Sequence, residues 1–288
     1  MKSTLITLNQ VALVSTIMLL GACTEAGGSV DVDPEEAAQD TDGKADGALV
    51  AVPDVKCVDI PVASAVGFRH SSSRAKASGE PIHRGLDPVI PADAASQRIA
   101  GIVGYGTLDH SIDDETVSVY ACRSGKWKLA GRAYTNSAGE FAVTLSGTRR
   151  LPVGLRDMYM MVEGDGTGTR FTALVAPDDV RLIVSDVDGT LSSHENAFPE
   201  SLLSGDPVAL HPHAPAAFKA GRARGYVPVY LTARGNRFTG ATRQWLADNG
   251  MPRGLMRLSL GIAELPGEDT IRYKTGVMKD LQDAGLTV

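Results

Sequence analysis

The sequence lacks an excess of basic residues, which argues against nucleic acid as a partner. Its 288 residues include 28 Lys and Arg against 34 Asp and Glu. The acidic surplus comes from residues 24–47, where eight acidic residues stand against one lysine; from Ala48 onward the charges cancel. Proteins that bind nucleic acid usually present a strongly basic face. Nucleic-acid binding is therefore not expected.

The sequence also lacks an apolar run long enough to cross a bilayer. The stretch "VALVSTIMLLGAC" after Lys2 is shorter than the roughly 20 residues of a spanning helix and has the form of a signal-peptide core. Its end, "LLGAC", resembles the cleavage box of bacterial lipoproteins. This resemblance implies a signal peptide over residues 1–22, lipidation of Cys23, and display outside the cytoplasm, with Thr24 favouring the outer membrane. An ordinary secretory signal is the alternative.

Cysteine is scarce, with three residues in the whole chain. If Cys23 carries a lipid, Cys57 and Cys122 remain. Two remaining cysteines in an oxidising compartment can form a disulfide. They can also stay as two buried thiols, and both alternatives are open at the level of sequence.

Large apolar side chains are almost absent from residues 23–49. Such a segment cannot bury enough surface to offset the entropy of ordering. We predict a disordered acidic tether that holds a folded body away from the membrane.

Residues 50–178 are predicted to form a β-sandwich. In "ETVSVYAC", Val117, Val119 and Ala121 alternate with Ser118, Tyr120 and Cys122, which is typical of a half-buried strand. Further strand-like segments separated by turn signals favour a sandwich; they are "WKLAGRAYT", "EFAVTL", "RDMYMMVEG" and "RFTALVA". The stretch "HSSSRAKASGEPIHRGLDP" shows no period, and no structure is predicted for it.

Residues 179–288 alternate strand-like and helix-like segments. The strands are "RLIVS", "YVPVYLT" and "LMRLS", and the helices are "APAAFKAGRARG" ending at Gly225, "RFTGATRQWLADNG" and "RYKTGVMKDLQDAG". This alternation predicts a parallel α/β sheet, in which ligands bind at the carboxyl ends of the strands.

The stretch "SDVDGT" places two carboxylates at such a strand end. Asp186 and Asp188 are expected on one side, with Val187 turned toward the core. Two carboxylates this close need a cation or a shared proton, and oxygen ligands suit Mg²⁺. Gly189 allows a tight turn, and the Thr190 hydroxyl is expected to fix it. A strand end closed by Asx turns is the plain alternative.

Three later residues add what a phosphoryl-transfer site requires. Thr232 ends the next strand, Arg234 follows it in "ARGNR", and Lys274 begins the last helix. A carboxylate nucleophile, a hydroxyl for a phosphoryl oxygen and an ammonium that offsets charge suit phosphoryl transfer. Arg234 and Arg237 either clamp phosphate or solvate a helix start.

This order of motifs resembles the haloacid dehalogenase-like (HAD-like) phosphohydrolases. The segments "DVDGT", "VYLTAR" and "RYKTGVMKDL" correspond to the first three motifs, and the Trp245–Leu246 pair is most similar to lipin-type phosphatidate phosphatases. The resemblance covers residues 180–288 and implies a three-layer Rossmann-like α/β fold. The preceding β region resembles, less closely, the sandwich that precedes such domains in some bacterial proteins.

The resemblance also implies a mechanism. Asp186 would be the nucleophile that forms an aspartyl-phosphate, and Asp188 would protonate the leaving oxygen and then activate water. Thr232 and Lys274 would hold the phosphoryl group, with Gly189, Thr190 and Arg234 also contacting substrate. Mg²⁺ would bind the Asp186 carboxylate and the Asp188 backbone carbonyl.

One part of the family pattern is missing. The fourth motif, whose acidic residues complete the Mg²⁺ site, does not follow "KDLQDAGLTV", and Asp280 and Asp283 lie on the preceding helix. We expect a domain incomplete at its C-terminus and impaired activity. A non-catalytic lipoprotein that binds phosphorylated lipid, or another phosphorylated ligand, is the alternative. The short spacing between the first two motifs leaves no room for a cap, which suits a large or membrane-borne substrate.

His211 and His213 in "HPHAP" have no third ligand nearby in the sequence. A loop that enters a helix is favoured over a metal site.

Overall fold

The computed structural model describes residues 51–61, 64–193, 208–259, 261 and 267–288. The predicted signal peptide, Cys23 and the acidic tether up to residue 49 lie outside the described residues and stay predictions. In the described part of the chain, no helix is long and apolar enough to cross a membrane.

The first region is built from two β-sheets. One sheet has the order β3-β9-β8-β5-β6, with β1 paired to β8, and the other has the order β2-β4-β7. The predicted sandwich is confirmed. Its elements are β1 Asp54–Val55, α1 Ser71–Lys76, β2 Arg84–Leu86, β3 Val89–Pro91, β4 Ser96–Ile102, β5 Thr116–Arg123, β6 Lys126–Tyr134, β7 Glu140–Ser146, β8 Gly154–Val162 and β9 Gly168–Ala176.

The core of the sandwich lies between the two sheets, where the apolar faces of strands meet. Val117, Val119 and Ala121 are fully buried there, as the alternation predicts. The other face of β5 is not exposed, however. Ser118 donates a hydrogen bond to Glu163 Oε1 (2.5 Å), and the Cys122 sulfur is bonded to that of Cys57. Strand β5 is therefore covered on both faces for most of its length.

The stretch without a sequence period does contain structure. It forms α1 and β2. Helix α1 has six residues, too few to show a helical period. The backbone that leads into α1 is fixed by Glu115, which is far from it in the sequence. The two carboxylate oxygens of Glu115 accept hydrogen bonds from the backbone N–H groups of Arg69 and His70 (3.0 Å each).

The second region is a three-stranded parallel sheet in the order β10-β11-β12, and the predicted α/β alternation is confirmed. A complete HAD-like fold and its truncation stay predictions. The elements are β10 Leu182–Asp186, α2 Ala214–Ala223, β11 Val227–Gly235, α3 Thr239–Asp248, β12 Leu255–Ser259 and α4 Gly267–Asp283. Gly225 and Gly250 lie just beyond α2 and α3 with positive φ, as expected of helix ends.

Helices cover both faces of this sheet. On one face, Phe218 of α2 and Leu246 of α3 pack on Tyr230 and Met256. On the other face, Leu281 of α4 packs with the strand residues Leu182, Val227, Val229 and Leu255. The outer edge of β10 begins to pair at Arg181, which forms a parallel bridge with Thr287.

The two regions share buried contacts. One apolar cluster combines Leu155 and Leu174 of the sandwich with Val227, Val229 and Leu255 of the α/β region. All described residues fall within one compact unit.

Candidate functional site

The two aspartates lie at the carboxyl end of β10. Asp186 is the last residue of the strand and pairs with Leu231 of β11. Val187 is fully buried against α2 and α3. Its N–H donates to Leu231 O (2.9 Å), so the backbone pairing with β11 continues one residue beyond Asp186. Gly189 then adopts a φ of +73°, a left-handed conformation that glycine reaches without strain.

Ser192, which the sequence analysis did not single out, closes this turn. Gly189 N donates to Ser192 Oγ (3.1 Å), and Ser192 Oγ donates to Val187 O (3.2 Å). Thr190 is exposed and does not supply the hydroxyl predicted for the turn. A serine three residues after a strand-end glycine is a weak signal, since only the folded turn shows which hydroxyl reaches back.

Asp188 is held by two side chains from β11. Thr232 Oγ1 donates to Asp188 Oδ2 (2.6 Å), and Arg234 donates to Asp188 Oδ1 from Nε (3.0 Å) and Nη2 (2.5 Å). Both carboxylate oxygens therefore accept hydrogen bonds from fixed donors. Charge-assisted bonds of this kind are among the strongest in proteins.

Arg234 is the largest fully buried side chain of the described residues, with 1% of its surface exposed. Its Nη1 donates to Thr242 Oγ1 in α3 (3.1 Å). The prediction that Arg234 contacts substrate does not fit this position, because its guanidinium binds Asp188 and Thr242 inside the protein. Thr232 is likewise buried and directed to Asp188 rather than to open space.

Asp186 is paired with the predicted ammonium group. Lys274 Nζ lies 2.7 Å from Asp186 Oδ1, and each side chain retains 27% of its exposure. Asp186 Oδ1 accepts no well-aligned hydrogen bond from the described residues. The contact with Lys274 is therefore mainly an electrostatic attraction between opposite charges. Residues from β10, β11 and α4 thus converge at one sheet edge, although 42 to 88 positions separate them in sequence.

The repulsion expected between the two carboxylates is relieved by two separate cations. Arg234 neutralises Asp188 inside the protein, and Lys274 neutralises Asp186 near the surface. Asp186 borders a groove of about 720 Å³ between α2 and α4, whose floor is β10.

For Mg²⁺, the side chains supply less than a complete ligand set. No group of three His, Cys, Asp or Glu side chains with metal-binding proximity occurs among the described residues. The Asp188 carboxylate is already bonded to Thr232 and Arg234, which leaves its backbone carbonyl and the Asp186 carboxylate. Mg²⁺ commonly binds through one or two carboxylates together with a phosphate and several waters. The residues present therefore fit Mg²⁺ only in combination with a phosphate ligand.

The remaining candidates lie outside this cluster. The His211 N–H donates to Leu191 O (2.8 Å), and His213 precedes the first residue of α2, so both belong to a loop that enters a helix. Arg237 Nη2 donates to Thr107 O of a sandwich loop (3.1 Å), and its guanidinium stacks over Phe238 at 5.4 Å.

Two family models match consecutive parts of the chain. Residues 81–175 match the model described as PITM 1-3, beta-sandwich domain, and residues 183–288 match the PITM 1-3, LNS2 domain. The second match covers nearly the same segment as the lipin-like resemblance of the sequence.

Curated relatives extend over both regions. Membrane-associated phosphatidylinositol transfer protein 3 of Homo sapiens is 28% identical over 203 residues, which are 69% of this chain and 20% of that protein. Membrane-associated phosphatidylinositol transfer protein 2 of Mus musculus is 28% identical, over 68% of this chain and 14% of that protein. Protein retinal degeneration B of Drosophila melanogaster is 24% identical, over 72% of this chain and 16% of that protein. The chain spans about a fifth or less of the length of these relatives.

A solved structure of superoxide reductase (neelaredoxin) from Ignicoccus hospitalis T24K covers 37% of this chain and 87% of its own, with 16% identity and a TM-score of 0.26. A similarity at this level carries no argument.

Proposed function

We propose that the α/β region binds the phosphate group of a phosphorylated lipid at the Asp186–Lys274 pair, together with Mg²⁺, and does not hydrolyse it. The similarity to membrane-associated phosphatidylinositol transfer proteins supports a lipid-related function. A phosphatidate-like headgroup is the ligand class we favour, since a phosphomonoester is what the lipin-like resemblance implies.

The observation that carries the proposal is the state of Asp188. A general acid must present a proton within hydrogen-bond reach of the leaving oxygen. Here Thr232 and Arg234 occupy both carboxylate oxygens as donors, and the guanidinium is buried. To act in catalysis, Asp188 would have to break the hydrogen bonds that both of its carboxylate oxygens accept, including the charge-assisted bonds from Arg234, which is costly.

Asp186 and Lys274 are more exposed than Asp188, with 27% of each side chain accessible, and Asp186 borders the groove. An incoming phosphate would draw Lys274 away from Asp186, and Mg²⁺ would offset the charge of Asp186 through its carboxylate and through the Asp188 carbonyl. Binding should therefore depend on Mg²⁺. With the lipid anchor proposed at Cys23, the site would act at a bacterial membrane surface, the outer membrane being favoured.

A second candidate function is Mg²⁺-dependent phosphomonoester hydrolysis through an aspartyl-phosphate on Asp186. The observation that favours it is the convergence of Asp186, Asp188, Thr232 and Lys274 at one strand edge. In that reaction Asp188 would exchange its internal partners for the leaving oxygen.

The test compares vesicle binding with phosphate release. We expect the wild-type protein to bind phosphatidylcholine vesicles containing phosphatidate, and to bind them more weakly when Mg²⁺ is chelated. Lys274→Met should weaken binding at least tenfold. Lys279→Met is the matched control, because Lys279 lies on the same helix in an exposed pair with Asp283 and should bind as wild type.

Phosphate release from phosphatidate or p-nitrophenyl phosphate is measured in parallel. We expect no Mg²⁺-dependent release above that of Asp186→Asn. Release that Asp186→Asn abolishes would replace the binding proposal with the hydrolase. Equal vesicle binding by wild type and Lys274→Met would contradict the binding proposal, and absence of Mg²⁺-dependent phosphate release from the wild-type protein would contradict the hydrolase.

A further inference from the structure

A second cavity lies where the sandwich meets the α/β region, and it is separate from the Asp186 site. Its volume is about 310 Å³. The β2–β3 segment of the sandwich forms one wall, and α3, β12 and α4 form the others. Asp186, Leu231 and Arg257 occupy the same row across the sheet, so Arg257 is roughly 10 Å from Asp186, two strand spacings away, with buried Leu231 between them.

Arg257 contributes a half-buried guanidinium group to the lining of this cavity. Its Nε is buried without a hydrogen-bond partner, and no ion pair among the described residues includes Arg257. Burial lowers the pKa of Arg257 below its usual range, which reflects the loss of hydration. A buried N–H group without an acceptor is costly, so an anion that enters this cavity and accepts a hydrogen bond from Arg257 Nε would be stabilised.

The carboxylates around Arg257 do not fill this role. Both oxygens of Asp87 accept hydrogen bonds from Arg243 Nη2 (2.9 and 3.0 Å), and they also accept from the backbone N–H groups of Thr172 (2.9 Å) and Met256 (2.8 Å). Asp280 is exposed at the rim of the cavity, where water solvates it. Asp87 and Asp280 attract the charge of Arg257 through space, and neither forms a direct ion pair with it.

The rest of the lining combines the Tyr273 phenol and the polar side chains of Asn236 and Thr239 with apolar side chains. Burial raises the pKa of Tyr273, so its hydroxyl stays protonated and can donate a hydrogen bond. Small-molecule sites typically pair a mostly apolar wall with a few placed polar groups. The apolar wall consists of Leu86, Val89, Met256, Leu258, Val277 and Leu281.

We propose that this junction cavity binds a small anionic amphiphile. Its phosphate or carboxylate head would pair with Arg257 and accept a hydrogen bond from Tyr273, and its short apolar body would pack on the side chains of β12 and α4. The ligand would contact both regions of the protein, so binding should stabilise their junction. This proposal does not depend on the function of the Asp186–Lys274 pair.

The experiment uses hexyl phosphate and hexanoate as anionic probes and hexanol as the neutral control. Binding is measured by calorimetry and by the shift in Tm. At least one anionic probe should raise the Tm of the wild-type protein, while hexanol should not. Arg257→Met should weaken binding at least tenfold, and Arg257→Lys should retain part of it. Lys274→Met should bind as wild type, which separates this cavity from the first site.

Without probe, Arg257→Met should have a Tm equal to or above that of the wild-type protein, since an unbranched apolar side chain replaces a half-buried guanidinium whose Nε has no hydrogen-bond partner. A marked loss of stability in this variant would mean that Arg257 is a structural residue, and would overturn the proposal. Failure of both anions to bind, equal binding of hexanol, equal binding by Arg257→Met, or loss of binding in Lys274→Met would each overturn it as well.

Discussion

Asp87 and Asp188 are carboxylates inside the protein, and each is surrounded by donors that come from distant parts of the chain. Asp87 receives bonds from α3, β9 and β12, and Asp188 receives them from two residues of β11. Buried charges of this kind persist only when they are paired and hydrogen-bonded. The same chemistry thus joins the two regions at Asp87 and fixes the candidate site at Asp188.

Replacing Asp87 by Asn should show how much this carboxylate contributes. The change leaves Arg243 without its counter-ion at the junction, and we expect a loss of about 3 kcal/mol in the free energy of unfolding. The matched control is Asp283→Asn in the exposed pair with Lys279 (2.5 Å), which should change stability by less than about 0.5 kcal/mol. Urea denaturation of both variants measures the difference. Similar small losses in both would contradict a structural role for Asp87.

His83 should make stability depend on pH. Its Nε2 lies 2.7 Å from Thr167 Oγ1, its Nδ1 has no hydrogen-bond partner, and burial lowers its pKa from 6.5 to about 4. Between these values the unfolded chain binds a proton that the folded protein does not, so stability falls as the pH falls from 6.5 to about 4.

Relative to His83→Gln, the wild-type protein should lose about 3 kcal/mol over this interval, which corresponds to roughly 1.4 kcal/mol for each pH unit. The measurement is urea denaturation of both proteins at several pH values. Parallel pH dependence of the two would show that His83 does not contribute.

At the scale of elements, β11 brings most of the site together. All nine of its residues are buried, because β10 and β12 flank it and helices cover both faces. Thr232 and Arg234 lie at its carboxyl end, two residues apart, and can therefore reach the same neighbour, Asp188. The continuous burial of this strand places Arg234 inside the protein, where its guanidinium binds Asp188.

The Cys57–Cys122 link ties the segment after β1 to the end of β5. The sequence left a disulfide and two thiols as open alternatives, and the structure shows the disulfide, with the Cα atoms 5.8 Å apart. In a Cys23→Ser background, titration of the unfolded protein without reductant should find no free thiol.

Removing this link should lower stability. Because it closes a loop of 65 residues, Cys57→Ser/Cys122→Ser should lose up to about 4 kcal/mol in the free energy of unfolding. Thermal or urea unfolding of wild type with and without reductant supplies the control, since reductant should have no further effect on the double variant. Two titratable thiols would contradict the link.

The whole molecule combines two regions around a shared apolar cluster, and this should make its unfolding cooperative. Trp127 in β6 and Trp245 in α3 are the two tryptophans of the chain, one in each region. In Trp245→Phe the fluorescence reports the sandwich, and in Trp127→Phe it reports the α/β region. Because Leu155 and Leu174 pack with Val227, Val229 and Leu255, the two urea midpoints should coincide.

Leu174→Ala should shift both midpoints together, with a loss of about 3 kcal/mol, since Leu174 is fully buried in the shared cluster. Two separate midpoints, or a shift confined to the sandwich signal, would show that the regions unfold independently.

Local patterns in the sequence were sufficient for most of the longer elements, although not for α1 and β2. Period-two alternation predicted β5 and β7, the change to alternating strands and helices predicted the parallel sheet, and Gly225 and Gly250 marked two helix ends. These features depend on residues close together in the chain, where side-chain periodicity and backbone freedom act directly. The rule for parallel strands placed Asp186 and Thr232 at one edge, and the resemblance to the phosphohydrolase motifs added Lys274.

What only the tertiary structure decided is which side chain meets which. The sequence could not show that Arg234 binds Asp188, that Ser192 replaces Thr190 in the turn, that Asp87 joins the two regions, or that Arg257 Nε is buried without a hydrogen-bond partner. Each of these depends on the packing of segments tens to more than a hundred residues apart. Their distances are set by the way complete sheets and helices fit together, and no local pattern carries that information.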